Sequence, residues 1–589
     1  MQRLLEASSP RTRALVRLAL RAIEWAAPPR RLSRLTQQQA AAALGKLAAS
    51  RISLRRELFL SLKTLVTLVY ASDQRVLEAV GVRSTCAVAD SDGSPSPAPR
   101  APSLRTATLH PVSPVEHCDV VIVGSGAGGA SAARVLAEQG IDVIVLERGA
   151  YHDAEDYSTD PLAALPMLYR DAGLTFCEGR PHIPMPVGQA VGGTTVINSG
   201  TCLRTPREVL ERWREEFGIE WASALDDDFE AIERTLEVRT LDARAAGRNG
   251  TLCRDGASAL GFANGPLPRN AGAVCRCSAC PTGCVLDAKR AMHVSELPRA
   301  LAAGARLRAG QRVTQILTER GRAVGVRADG YEVRARAVLL AAGALGTPEL
   351  LLAQGLANSS GAVGRHLRIH PACWVGARFE EPVRGWEGVM QSWAVEEFSE
   401  RGLFFEATAT PLAFGAQGLP GTGAELQRRI ADYGHVAVIG VHLSERSQGR
   451  VRLRGEHASV TYRLGRADAR TLRFGIARAA EIHFAAGASE VYPQLGRIAR
   501  LAPGEAPRIE RGAARASQLR LEAFHPMGTA RMGADRRSCV VAPSGESHDV
   551  PGLYVADASL FPTSLKVNPM LTIMVCARQI AAGLAERLR

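Results

Sequence analysis

The stretch from Cys118 to Gly149, CDVVIVGSGAGGASAARVLAEQGIDVIVLERG, constrains the fold of this chain more than any other part of it. An unbroken apolar run, DVVIV, meets a glycine turn. A helical run follows, then a second apolar run that ends at Glu147. Strands covered on both faces read as continuous apolar runs, so this order predicts a strand–helix–strand unit of the parallel type. Gly124, Gly126 and Gly129 stand at the G-x-G-x-x-G spacing on its turn. Glycines there let the backbone approach a pyrophosphate, the helix N-terminus faces the phosphate charge, and Glu147 accepts hydrogen bonds from ribose hydroxyls. The fingerprint predicts a dinucleotide site, against a purely structural glycine turn, and leaves NAD and FAD both open.

Upstream, Arg13 to Val82 carries apolar residues every three or four positions, in VRLALRAIEW, AAAALGKLAAS and ELFLSLKTLVTLVY, which predicts an all-helical segment. The Ser/Pro-rich DSDGSPSPAPRAP and HPVSP that follow read as a linker. No secretory signal is read in residues 1–27, because Arg13, Arg17 and Arg21 break the only apolar stretch. LFLSLKTLVTLVY is too short for a span of about 20 apolar residues and holds Lys63 at its centre. A cytoplasmic protein is expected. Twelve cysteines in such a chain argue for metal or inert thiols over a disulfide framework.

The formal charge of +13 raises nucleic acid or an anionic membrane as partners. Lys46, Lys63, Lys289 and Lys566 are the only lysines; the arginines that carry the rest are interleaved with acids, as on ordinary solvated faces. Nucleic acid is therefore not expected. The run Arg11, Arg13, Arg17, Arg21, Arg30, Arg31 and Arg34 meets few acids and keeps peripheral membrane association through the N-terminal helices open.

Three further segments pack small and polar residues: GQAVGGTTVINSG (188–200), FHPMGTARMG (524–533) and ADASLFPTSLKVNPMLTIMVCARQIA (556–581). His525 and Asn568 each precede a proline, and a helix is predicted to start at Pro569. RARAVLLAAGALGT and GLYVADASLF read as buried strands joining the first sheet. His366 and His370, four apart, resemble a helical metal pair, but Pro371 ends any such helix and no third ligand is near.

Together these segments resemble the glucose-methanol-choline (GMC) oxidoreductase family, from Cys118 to the C-terminus. GQAVGGTTVINSG is similar to the family's flavin-side loop and GALGTPELLLAQG (343–355) to its second signature, where Gln354 replaces the usual Ser. GRHLRIHPACWVGARFEE and VNPM look most like the long-chain alcohol oxidase and cholesterol oxidase branches. The resemblance implies an α/β FAD-binding Rossmann-like domain of the p-hydroxybenzoate-hydroxylase-like type, an α+β substrate domain on an antiparallel sheet, and a small helical extension. The implied division is extension 1–86, linker 87–117, FAD-binding segments 118–204, 273–360 and 516–589, and substrate-side segments 205–272 and 361–515.

The resemblance also implies roles. His525, with a pKa near neutrality, accepts or shares the hydroxyl proton of an alcohol, and Asn568 hydrogen-bonds its oxygen. Gly124, Gly126, Gly129 and Glu147 hold the ADP half of FAD, Asp557 lies near its ribityl and pyrophosphate, and Gly193, Thr194, Asn198, Pro569 and Met570 lie near the ring. The expected reaction is oxidation of a hydrophobic alcohol, fatty or sterol-like, with oxygen, a quinone or a protein as electron acceptor. A light-driven fatty-acid decarboxylase, also similar to this family, and a non-enzymatic basic protein binding membrane or polyanion are the rival readings.

The spacing Cys275-x-Cys277-x-x-Cys280-x-x-x-Cys284 approaches an iron–sulfur run, one residue short at its first cysteine and without the final Pro. Three readings stay open: a structural thiol loop, which leads; an iron–sulfur cluster, as in some sugar dehydrogenases of the superfamily; and zinc or a disulfide. A cluster would favour a dehydrogenase that passes electrons to a quinone or protein.

Overall fold

The computed structural model describes residues 2–25, 31–82, 102–105, 113–272, 275–455, 457–496, 498–512 and 515–589. The expected linker lies largely outside these residues. Five helices come first: α1 (Gln2–Ala7), α2 (Pro10–Glu24), α3 (Gln37–Ala48), α4 (Ser53–Tyr70) and α5 (Gln74–Val80). Their ends follow local chemistry. The Ser9 side chain caps α2 ahead of Pro10, Thr36 and Gln39 cap α3 reciprocally, and Gly81 closes α5 in the left-handed conformation. α4 buries Phe59, Leu65 and Leu68, with Lys63 among them donating Nζ to the Leu419 carbonyl. Among the described residues no helix is long and apolar enough to cross a membrane.

Next, β1 (Val115–Val123), α6 (Ala127–Glu138) and β2 (Val143–Leu146) form the predicted parallel unit. β1 also pairs in parallel with strand Tyr331–Leu340, which pairs with Leu553–Val555, so both later apolar runs join the first sheet. Val120, Val121 and Ile122 are wholly buried, and α6 packs against the C-terminal helix Met570–Leu588. Gln354 finds a use of its own: its side-chain amide pairs with the backbone N–H and C=O of Ile316, tying helix Gly343–Gln354 to a sheet strand.

A second, six-stranded sheet runs in the order Glu490–Tyr492, Ala372–Arg378, Val436–Leu443, Leu403–Thr408, Gln391–Val395 and Asn264–Pro266. Its pairs are antiparallel, so alternate residues face opposite sides. Val375, Phe405, Ile439 and Val441 face one side and join the core with helix Arg466–Ala485. Trp374, Thr408, Gly440 and His442 face the other side, which is the floor of the cavity.

Candidate active site

A cavity of about 860 Å³ runs between the two sheets. At one end Gly124 turns with φ 105°, and a side chain there would meet the Ala341 carbonyl. A Cβ on Gly126 would meet nothing nearer than the Gly193 Cα, at 3.8 Å, and would project into the cavity. Gly129 does not face the cavity; a Cβ there would collide with the Gly124 carbonyl, so this glycine serves helix–strand packing. Glu147 Oε2 accepts from Ser125 N and Oγ at 3.0 and 2.8 Å, and Oε1 from Gly149 N at 2.8 Å, while burial pushes its pKa up. Asp557 Oδ2 accepts from Gly343 N and Thr347 Oγ1, and burial raises this carboxyl too.

Farther along, Gly193, Thr194 and Asn198 line the cavity with Asn568, Pro569 and Met570. Helix Met570–Leu588 starts there, with Pro569 as its N-cap and no side-chain cap, so unpaired N–H groups of its first turn lie at the cavity wall. Asn198 donates Nδ2 to Met570 Sδ at 3.1 Å, and its buried Oδ1 has no protein partner among the described residues.

His525 lines the cavity with its Nδ1 3.2 Å from His370 Nδ1. His442 stacks on it, with ring centroids 5.8 Å apart, and pairs through Nε2 with Glu406 Oε2 at 2.9 Å. Glu406 is wholly buried and also takes a hydrogen bond from Gln391 Nε2 at 2.6 Å. Burial and then His370 and His442 hold His525 well below the usual histidine range, which corrects the expectation of a near-neutral group. His370, buried beside His442 and Arg368, is lowered to about 3. The His366/His370 metal pair does not form: His366 bonds Gln448, and His370 serves His525.

The cysteine-rich loop lies against this wall. Lys289 donates Nζ to the carbonyls of Val196 and Asn198, at 2.8 and 2.6 Å, and Arg269 donates to Cys280 Sγ and the Gln391 carbonyl. Cys275 and Cys284 have raised pKa values, with burial the leading cause. Among the described residues no three His, Cys, Asp or Glu side chains are arranged to hold a metal ion. As arranged, the thiols do not converge on a common metal position.

The sequence matches GMC oxidoreductase over residues 165–372 and 445–577 and an FAD binding domain over residues 117–156. It is 43% identical over 480 residues to an uncharacterised GMC-type oxidoreductase of Mycobacterium tuberculosis, covering 79% of this chain and 76% of that one. The chain belongs to the GMC oxidoreductase family. This GMC oxidoreductase is also 29% identical to a long-chain-alcohol oxidase of Arabidopsis thaliana, over 80% of this chain and 68% of that protein. In structure it is similar to pyridoxine 4-oxidase from Mesorbium loti, with TM-score 0.60, 18% identity, and 79% and 98% of the two chains covered.

As a member of the family it is an FAD-dependent oxidoreductase, and its cavity fits the cofactor. The glycine cradle at Gly126 and Gly193, the shielded carboxyls of Glu147 and Asp557, and the open helix N-terminus at Met570 are donors, acceptors and space that FAD calls for. FAD, when bound, supplies the hydride acceptor. The sequence pointed to His525 and Asn568, weighed His370 only as half of a metal pair, and missed His442 and Glu406. The available signal was a histidine in the apolar strand VAVIGVHL, on the same face as Gly440.

Proposed function

We propose that this GMC oxidoreductase oxidises a long apolar alcohol, with oxygen as electron acceptor. The observation that carries the reading is the cavity itself. Besides His525 and Asn568 its walls include Trp374, Phe414 and, from α1 and α4, Leu4, Leu65 and Leu68, so that polar residues and large apolar side chains share one cavity. Such a space suits a hydroxyl on a hydrocarbon body, because apolar surface leaves water while few groups orient the oxygen. The name of the Arabidopsis relative supports both substrate class and acceptor.

At the reacting end, His525 and Asn568 hold the hydroxyl oxygen, and the loop 188–200, braced by Lys289, fixes Asn198 beside them. Mixing the holoenzyme anaerobically with 1-dodecanol is expected to bleach the flavin, and readmitted air to restore it with release of hydrogen peroxide. Bleaching by formate or glucose instead would reject the apolar substrate, and recovery only with a quinone would reject oxygen.

The N-terminal helices suggest where such a substrate is met. Leu15, Leu18 and Ala22 form an exposed stripe on α2 at helical spacing, continued by Trp25 at its C-cap and flanked by Arg13, Arg17 and Arg21 at four-residue intervals. An apolar stripe edged by arginines suits an anionic lipid surface.

A further inference from the structure

We propose that His370 is a positioning residue: it fixes the tautomer of His525, so that His525 presents Nε2–H to the cavity as a standing donor to the substrate's oxygen. The identity of that oxygen rests on the alcohol-oxidation reading above. The pair is built by register. Arg368 bridges Met527 and Ala372 bridges Glu522, so the two segments run antiparallel with His370 and His525 between these ties. His370 Nδ1 lies 3.2 Å from His525 Nδ1. On the far side of the His370 ring, the backbone N–H of Leu565 donates to Nε2 at 3.3 Å. A backbone N–H cannot accept, so Nε2 of His370 carries the lone pair and its proton sits on Nδ1. Two nitrogens that face each other share one proton, so His525 Nδ1 is the acceptor and neutral His525 carries its proton on Nε2. That nitrogen has no protein partner among the described residues and is not buried, so it meets the cavity that His525 lines.

The surroundings hold His370 in this one form. Glu445, itself buried, accepts from Ile369 N through Oε1 at 2.6 Å and from Ser564 Oγ through Oε2 at 3.2 Å, and so grips the neighbours of both His370 and Leu565. His370 stands in the left-handed region, with φ 46°, directly before Pro371. That conformation is unfavourable for a residue with a Cβ, and more so before proline, and it persists only where the surroundings over-determine it. Here it sets the imidazole between Leu565 and His525. Burial, and then His442 and Arg368, lower His370 to about 3, so the ring stays neutral and Nε2 keeps its lone pair. The titratable groups facing His525 are His370 and, from the sheet, His442 with its partner Glu406; Glu522 lies on its own segment.

With Nε2 protonated, His525 receives an oxygen through a lone pair and favours one that gains negative charge, as a carbinol oxygen does when its proton leaves. Were an acceptor to stand in place of His370, the proton of His525 would move to Nδ1 and a bare nitrogen would face the substrate. His370 itself does not line the cavity, so it acts only through His525.

The test reads the ring nitrogens directly, by NMR of the flavin-loaded holoenzyme carrying isotope-labelled histidine, with His525→Asn and His370→Asn assigning the two signals. Protons on His370 Nδ1 and His525 Nε2 support the proposal, and a proton on His525 Nδ1 overturns it. Asp tolerates the left-handed backbone and, when ionised, only accepts. His370→Asp is therefore expected to move the His525 proton to Nδ1 and to raise the titration midpoint of His525 towards neutrality, because a carboxylate then faces the imidazolium. An unmoved tautomer in flavin-loaded His370→Asp overturns the tie. The donor role is read with dodecan-2-one, whose oxygen can only accept. Its binding, followed by flavin absorbance, is expected to be about tenfold weaker in His370→Asp than in the native enzyme, the scale of one lost hydrogen bond. Equal binding overturns that role. If the ketone does not bind the native enzyme, the apolar-substrate reading fails and the nitrogen shifts alone decide this one. Where His370→Asp loses its flavin, the shifts of the native enzyme decide in the same way.

Discussion

Gly126 and Gly128, two positions apart in one turn, face opposite problems. A Cβ on Gly128 would lie 1.8 Å from the Ala556 carbonyl oxygen, inside the protein, whereas one on Gly126 would enter the cavity. Gly126→Val is therefore expected to fold and emerge without flavin, and Gly128→Val to lose solubility or melt far lower. The flavin absorbance and the thermal melt of the two variants check this; a flavin-loaded Gly126→Val would remove Gly126 from the cofactor site. At this scale the sequence was most legible where chemistry needs a local motif. Gly124, Gly126 and Glu147 stood out because they belong to one local strand–turn–helix–strand pattern, and His525 and Asn568 through the family resemblance. His442 and Glu406 lie 36 positions apart in number and meet only through strand pairing, so no local pattern announced them.

Among the elements, α4 makes a prediction through Lys63. Burial, and then the charges of Arg520 and Arg429, lower this amine from 10.5 to about 7. Between these values the unfolded chain binds more protons than the folded one, so stability rises with pH from about 7 towards 10.5. Relative to Lys63→Met, which has no charge to bury, the native protein is expected to gain melting temperature as pH rises from 7 to about 9. A constant difference across that range would mean that Lys63 is not shielded on the buried face of α4. The helical extension was legible as helices but not as a wall, since amphipathic spacing reports that a face is buried and not what it is buried against. The cysteine loop was the hardest element. Its spacing left a structural thiol loop, the leading reading, and metal chemistry both open, and in the fold Lys289 donates to carbonyls of the loop that presents Asn198 while Arg269 donates to Cys280.

For the whole molecule, the exposed stripe of α2 predicts partition to lipid. The protein is expected to sediment with vesicles of phosphatidylserine and phosphatidylcholine and far less with phosphatidylcholine alone, and added salt should weaken the binding, because arginine attraction to anionic lipid is screened. Leu18→Asp, on the exposed face of α2 with Leu18 64% exposed, is expected to abolish it without flavin loss. Unchanged sedimentation of that variant would reject the lipid surface. His525 and Asn568 came from the family resemblance; what the sequence by itself determined is the parallel strand–helix–strand unit, its glycine turn and the strand character of the two later apolar runs. Each depends on interactions within a few tens of residues, where periodicity and turn chemistry act. Tertiary structure alone decided the closing of the cavity by α1 and α4, the tie of His370 to His525, and the meeting of Glu406 with His442. Those contacts join segments far apart in the chain, and their register is set by which faces the two sheets bury.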